Sequence, residues 1–355
     1  MSKPRLISFY LPQFYPTIEN DEWWSKGFTE WTNVGNAKPL FKNHYQPRVP
    51  ADLGYYDLRV SDVREQQVEL AKEAGIEGFC YWHYWFAGRR LLDRVFKEVV
   101  ESGKPDFPFC LCWANHSWYA KTWEPNVPDK LLIEQTYPGV KDYEDHFNAM
   151  LPAFKDRRYI RINGKLLFGL FAPLHIPDFK LFKSVWNDLA IKNGLQGFYF
   201  FGFTFNRKDL DDIVEAGYDA TVLDLVKENL DKISFTKKMK RKIFKKPLVT
   251  KYDDYVKLVI ESIHPTNNNH PCINPNFDHS PRSAHRGVVL HESTPEKWGY
   301  LCRSMFAKCQ NRESDNNIVF IKAWNEWGEG NYLEPDLKFG KQYIKITKEA
   351  LKGYE

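Results

Sequence analysis

Short apolar runs alternate along this chain with longer stretches whose apolar residues recur at helical spacing. The runs are residues 5–11 (RLISFYL), 78–85 (GFCYWHYW), 107–114 (FPFCLCWA), 165–172 (KLLFGLFA), 198–204 (FYFFGFT), 219–223, a weak one at 272–276, and 318–324 (IVFIKAW). Most are apolar on both faces, as strands of a buried parallel sheet are. Between them the spacing predicts helices over 62–74, 91–102, 143–154, 179–192, 209–216, 252–262, 295–308 and 341–352. Ser61 is the expected N-cap of the first helix and Gly75 its stop. Thr294 is the expected cap of the seventh, with Pro295 at its first position. Eight strands alternating with eight helices predict an α/β fold, a single (β/α)8 TIM barrel over residues 1–355. A doubly wound sheet is the alternative, but no Gly-x-Gly-x-x-Gly follows the first strand and no phosphate loop occurs. Two stretches read as insertions: a long loop over 12–58 after strand 1, and a basic one over 226–249 after strand 6.

Composition narrows the class. Of 355 residues 43% are hydrophobic and 16% aromatic, and the formal net charge is only +4, which excludes a disordered chain. No apolar run approaches the ~20 residues of a spanning helix. The 12 Trp, 19 Tyr and 26 Phe exceed what a core needs and suggest surfaces that stack on flat ligand faces. The positive charge is local. Lys237, Lys238, Lys240, Arg241, Lys242, Lys245 and Lys246 lie within ten residues, and without these seven the +4 becomes −3. Nucleic acid is therefore not an expected partner. With Met239, Ile243 and Phe244 interspersed, the segment could instead lie on an anionic membrane surface, or be a solvated loop. The six cysteines (80, 110, 112, 272, 302 and 309) show no Cys-x-x-Cys and no zinc spacing, and read as buried reduced thiols. The first apolar run is too short for a signal peptide, so the expected location is the cytoplasm, at most peripheral to the inner membrane. Asp209-Leu210-Asp211 is formally Asp-x-Asp but opens a helix, where acids are favoured. Neither a metal nor a cofactor is expected.

A barrel carries its site at the C-terminal ends of its strands. The residues there are Tyr10, Gln13 and Tyr15; His83 and Tyr84; Trp113, Asn115 and His116; Thr204 and Asn206; Asn276 and Asp278; and Asn325, Glu326, Trp327 and Glu329. Amides, hydroxyls, imidazoles and indoles around a pair of carboxylates are the mix that a sugar needs. Glu326 and Glu329, at i and i+3, are the expected catalytic acid–base pair. Their alternative is a pair of acids in the first turn of the last helix. Tyr10, Gln13, His83, Tyr84, Trp113, Asn115, His116, Asn325 and Trp327 are the expected substrate-binding residues. Trp23, Trp24 and Trp31 form either a stacking wall or packing under the first loop. Glu30 is either part of the site or paired with a base.

The segment Asn325-Glu326-Trp327-Gly328-Glu329-Gly330 resembles the Asn-Glu-Trp-His-Glu-Gly motif of glycoside hydrolase family 99, the endo-α-mannosidases and endo-mannanases. Its continuation through Asn331-Tyr332-Leu333-Glu334-Pro335-Asp336 is more similar to the WbsX family, family-99-like proteins of bacterial O-antigen and capsule clusters. Further similar segments are FYLPQFY (9–15), GFTEWTNV (27–34), HYQP (44–47), DLGYYDL (52–58), GFCYWHYW (78–85), WAN (113–115) and RINGK (161–165). The resemblance implies a (β/α)8 barrel. It also implies that Glu326 acts as general base on the sugar 2-hydroxyl, and that Glu329 acts as general acid and then base. The motif His is Gly328 here.

These readings converge on a carbohydrate-active enzyme that cleaves or transfers glycosidic bonds in bacterial surface-polysaccharide assembly, by a retaining mechanism. Its partner would be an oligosaccharide or a lipid-linked glycan. The alternatives are a glycosyltransferase with an activated or lipid-linked donor, and a non-catalytic glycan-binding protein.

Overall fold

The apolar runs pair as their two-sided burial requires. A computed structural model describes residues 2–120, 128–231 and 245–354, and in it eight parallel strands close into a barrel. They are β1 (Arg5–Tyr10), β2 (Gly78–His83), β3 (Phe109–Trp113), β4 (Lys165–Leu170), β5 (Phe198–Thr204), β6 (Ala220–Leu223), β7 (Asn269–Ile273) and β8 (Ile318–Ile321). Each pairs with its neighbours in sequence, and β8 pairs with β1 to close the ring. The barrel helices are α1 (Ser61–Ala74), α2 (Arg94–Ser102), α3 (Val140–Phe154), α4 (Phe179–Lys192), α5 (Leu210–Glu215), α6 (Tyr252–Ser262), α7 (Pro295–Cys309) and α8 (Gln342–Leu351). This is the (β/α)8 barrel.

Helix ends follow local chemistry. Gly75 stops α1 at φ 79°, and the Thr294 hydroxyl accepts the Lys297 N–H at the start of α7. Ser61 is not the cap of α1 but its first residue, and Val60 precedes it without a side-chain bond. Strand β7 begins three residues before the expected run. Its Asn269, His270 and Pro271 disguise it, yet His270 is buried with its Nδ1 2.6 Å from Arg312 Nη2.

Aromatic rings fill the barrel. Phe9 stacks on Trp82 at 4.6 Å and lies 5.4 Å from Phe320 and 5.6 Å from Phe203. Phe203 stacks in turn on Phe171 at 5.5 Å. A Cβ on Gly169 would meet the Phe201 ring at 2.2 Å, so that strand residue must be glycine. Outside the ring, Trp186 of α4 lies among Phe147, Phe154, Phe168 and Phe198. Trp113, Trp186, Trp298, Trp324 and Trp327 are wholly buried. Much of the aromatic excess is therefore packing, contrary to the expectation of stacking surfaces.

The long loop after β1 carries two short helices, Ile18–Trp23 and Glu30–Asn36. It is fastened by Trp31 Nε1, which donates to the Tyr56 carbonyl at 2.7 Å. After β6 come the helix Val226–Asp231 and the strand Leu248–Lys251, which joins Val288–His291 and Phe277–Asp278 in a small sheet. Lys237, Lys238, Met239, Lys240, Arg241, Lys242, Ile243 and Phe244 lie outside the described residues, whereas Lys245 and Lys246 are exposed. All six cysteines are free and buried. Among the described residues no helix is long and apolar enough to cross a membrane, and no group of three or more His, Cys, Asp or Glu could hold a metal. Asp209 turns its carboxylate onto the Thr204 hydroxyl at 2.7 Å.

Candidate active site

Strand β8 ends at Ile321, and Lys322 is the first residue beyond it. A two-residue strand Asn325–Glu326 then pairs antiparallel with Asn331–Tyr332 around a single 3-10 turn, Trp327–Glu329. The turn is fixed from below. The Asn325 amide accepts from the Leu11 N–H at 2.7 Å and donates to the Leu11 carbonyl at 3.0 Å. Trp327 stacks on Tyr332 at 3.7 Å and donates Nε1 to Glu334 at 2.6 Å. Glu334 also accepts from Gln67 at 2.6 Å and Tyr56 at 2.9 Å. Burial pushes the Glu334 carboxyl up to about 7.

Held this way, Glu326 and Glu329 both face a cavity of about 700 Å³ at the C-terminal mouth. Strand alternation brings the floor: in β2, Trp82 points inward, and its Nε1 donates to Glu326 Oε1 at 2.6 Å. Lys322 Nζ bridges the pair, 3.2 Å from Glu326 Oε2 and 2.8 Å from Glu329 Oε2. From the short helix Ser280–Ser283 after β7, Arg282 Nη1 reaches Glu329 Oε1 at 2.7 Å and its Nε reaches Glu30 Oε2 at 3.0 Å. Three carboxylates are thus tied by two cations.

This arrangement separates the two acids. Burial raises the Glu326 carboxyl to about 7 against the attraction of Lys322, and the nearby Glu329 charge adds to the rise. Burial acts on Glu329 in the same direction, but Lys322 and then Arg282 hold it well below the usual carboxylate range. The proton of the pair is thus favoured on Glu326 and the charge on Glu329. Burial lowers His279 and takes His116 down to about 4, so both imidazoles in the wall are neutral.

Of the expected catalytic and substrate-binding residues, Glu326, Glu329, Gln13, Tyr84 and His116 line the cavity. Six others do not. Tyr10 points out of the barrel and donates to Gln67 of α1 at 2.7 Å. His83 also points outward, its Nε2 2.7 Å from His146 of α3. Trp113 is wholly buried, packed against His146 and Phe182. Asn115 joins two strand ends, exchanging hydrogen bonds with Ala172, and Asn325 and Trp327 are the braces described above. The parity of each strand decides most of this: Phe9, Trp82 and Cys112 face in, so Tyr10, His83 and Trp113 face out. Of the loop tryptophans, Trp24 lines the cavity, Trp23 packs on Trp118, and Trp31 packs on Phe14 and Tyr56.

The structure adds Trp82, Arg282, Lys322 and His279, with Trp118, Phe171, Phe205 and Phe277 in the walls, and Glu30 meets both of its sequence readings, lining the cavity and pairing with Arg282. Trp82 was readable from the alternation in GFCYWHYW. Lys322 sits four residues before Glu326, a spacing that marks a partner. Nothing near Arg282 in the sequence signals its role, because it acts across 252 residues to Glu30.

The sequence profile of the family described as "Glycosyltransferase WbsX" matches residues 6–347. The uncharacterized protein WxcX of Xanthomonas campestris pv. campestris is 34% identical over 365 residues, covering 98% of this chain and 49% of that protein. The chain therefore spans about half the length of that relative. A solved glycoside hydrolase-like protein superposes with TM-score 0.64 at 14% identity, over 99% of this chain and 95% of that one. The GH99 endo-alpha-mannosidase from Bacteroides thetaiotaomicron superposes with TM-score 0.56 at 12% identity, over 100% of this chain and 98% of that one.

Proposed function

The chain belongs to the WbsX glycosyltransferase family and is a carbohydrate-active enzyme; on that premise we propose that it breaks or exchanges a glycosidic bond with Glu326 and Glu329. One observation carries the reading: both carboxylates face one cavity at the C-terminal mouth, bridged there by Lys322, with burial raising Glu326 and the cations lowering Glu329. Glycosyl transfer needs such a pair. Glu326 gives its proton to the leaving oxygen as the C–O bond breaks. Glu329, ionised, takes the proton of the neighbouring sugar hydroxyl, whose oxygen closes on the anomeric carbon. Water or an acceptor hydroxyl then opens that ring, losing its proton to Glu326 while Glu329 returns its own. These roles reverse the family-99 assignment, a reversal favoured by the directions in which burial raises Glu326 and Lys322 and Arg282 lower Glu329. The Lys322 bridge keeps the two carboxylates close, which supports the shorter, retaining separation over the ~6.5–9.5 Å of inverting enzymes.

The walls indicate the substrate. Among the described residues of the cavity, Arg282 and Lys322 are the cationic side chains, and both are committed to carboxylates. Neither of these two is free to take a diphosphate, which favours a neutral glycan, free or lipid-linked, over a nucleotide-sugar donor. Its setting would be the assembly of bacterial surface polysaccharide. Transfer from an activated donor is the second reading, favoured by the family's own description. The test is incubation with a panel of oligosaccharides and nucleotide sugars, read by mass spectrometry. Glu326→Gln and Glu329→Gln should each lower turnover at least ~10²-fold with the fold retained. Near-normal turnover in both variants would remove the assignment.

A further inference from the structure

Position 328 is where the family-99 motif has histidine and this chain has glycine. The space is not empty. A Cβ on Gly328 would lie 1.8 Å from Glu30 Oε2 and 3.0 Å from Arg282 Nε, closer to the oxygen than any real contact. Glu30 arrives from another part of the chain, on the first turn of the helix Glu30–Asn36, whose start is fixed by the Thr29 cap. Its carboxylate is buried and takes Arg282 Nε, while Arg282 Nη1 takes Glu329. Arg282 therefore has an anchor on one side and Glu329 on the other. A guanidinium presents its donors in a rigid fork, so fixing Nε aims Nη1. Without the anchor, the bond from Nη1 to Glu329 is the remaining hydrogen bond of this side chain among the described residues.

We propose that Glu30 is a positioning residue: seated in the space that glycine leaves at 328, it anchors Arg282 so that the other arm of the guanidinium stays on Glu329. The assignment rests on the reading of Glu329 as one of the reacting pair. Glu329 is faced by Lys322 and Glu326 from its own loop, by His279 and Arg282 from the loop after β7, by Glu30 from the loop after β1, and by Asp224 from the end of β6. Of these, Glu30 is hydrogen-bonded to Arg282 and reaches Glu329 through it. The anchor and the glycine are one device, because any side chain at 328 displaces the carboxylate.

The test needs no substrate. Protein labelled with ¹³C at glutamate carboxyls is titrated by NMR, the Glu329 signal being identified by its loss in Glu329→Gln. Glu30→Ala removes the anchor and should raise the pH at which Glu329 protonates by about one pH unit or more, the scale of a lost neighbouring guanidinium. Gly328→Ala should move it the same way, and the double variant no further than either alone. Glu30→Gln keeps an acceptor for Nε and loses only the charge, so Glu329 should stay in place or fall. Glu329 unmoved or lowered in the folded Glu30→Ala protein overturns the proposal, as does an equal rise in Glu30→Gln. If Glu329 responds as described and no glycan is turned over, the functional reading fails alone. If glycans are turned over and Glu30→Ala leaves Glu329 unmoved, the positioning role fails alone.

Discussion

Lys322→Met removes the ammonium that touches both carboxylates, at 3.2 Å from Glu326 and 2.8 Å from Glu329, and keeps a side chain of similar length. At about 3 Å and an effective dielectric of about 20, the attraction to the ionised Glu329 is on the order of 5 kcal/mol. Taking the ammonium out of water costs several kcal/mol against this. Truncating one partner of a buried pair typically leaves a net loss of about 3–5 kcal/mol. The loss depends on pH, and its sign follows from Glu329. In the wild type Glu329 titrates below its ordinary range, so its contribution to stability is present above the unfolded carboxylate value and fades as pH falls through the folded one. Without Lys322 that contribution shrinks, and protonation of the pair relieves the remaining repulsion. The deficit of the variant should therefore be largest near pH 8 and shrink toward pH 4. Thermal unfolding of both proteins across that range measures it. A deficit of equal size at pH 4 and pH 8 would refute the electrostatic account, and a variant as stable as wild type at pH 8 would refute the bridge itself.

Turnover should fall as pH rises through about 7, because the proposed acid, Glu326, loses its proton there; a rise through the same range in initial-rate measurements would restore the family-99 order of roles. Trp24 is half-exposed in the cavity wall, so Trp24→Ala should raise KM roughly tenfold for a glycan long enough to reach it, about the worth of one aromatic contact, and leave kcat nearly unchanged; an unchanged KM across glycans of increasing length would exclude the contact. The basic segment 237–246 is proposed to hold the protein near an anionic membrane, each charge contributing on the order of 1 kcal/mol within a Debye length of about 8 Å at 0.15 M salt. Co-sedimentation with anionic vesicles should be steeply salt-dependent and lost when the seven basic residues are neutralised, and equal partitioning of the two proteins would leave the segment as a solvated loop.

The barrel was legible because its signal is collective. Eight two-sided apolar runs and eight amphipathic stretches agree on one architecture, and a single disguised strand such as β7 does not disturb the count. Two of the helices, Phe179–Lys192 and Tyr252–Ser262, fall on the residues that the spacing predicts. The site was legible only where chemistry is local in sequence. Glu326 and Glu329 stand in one turn and could be found together. Tyr10, His83 and Trp113 were placed by their nearness to strand ends, whereas a strand sends alternate side chains to opposite faces, and these three face helices. Arg282 had no local mark at all, and Glu30, open in the sequence as a site residue or a paired acid, could not be matched to its base, since each gains its meaning from a contact that only the closed ring creates. Asn115 and Asn325 show the converse: an amide at a strand end reads as a ligand for hydroxyls, yet here both amides are spent on joining backbones.

The seam between β1 and β8 has a kinetic meaning. The bond from the Leu11 N–H to Asn325 joins residues 314 apart in sequence, and the one from Tyr56 to Glu334 joins residues 278 apart. Contacts of such span form late, after the shorter β-to-β pairings have reduced the loop that must close. Until the last strand docks, Glu326 and Glu329 have neither the Trp82 floor beneath them nor the first loop across from them. They remain two ordinary, solvated acids on an unfinished sheet. On the proposed reading the reacting pair would be assembled only as the ring closes, and the appearance of a high-titrating carboxyl would mark that moment.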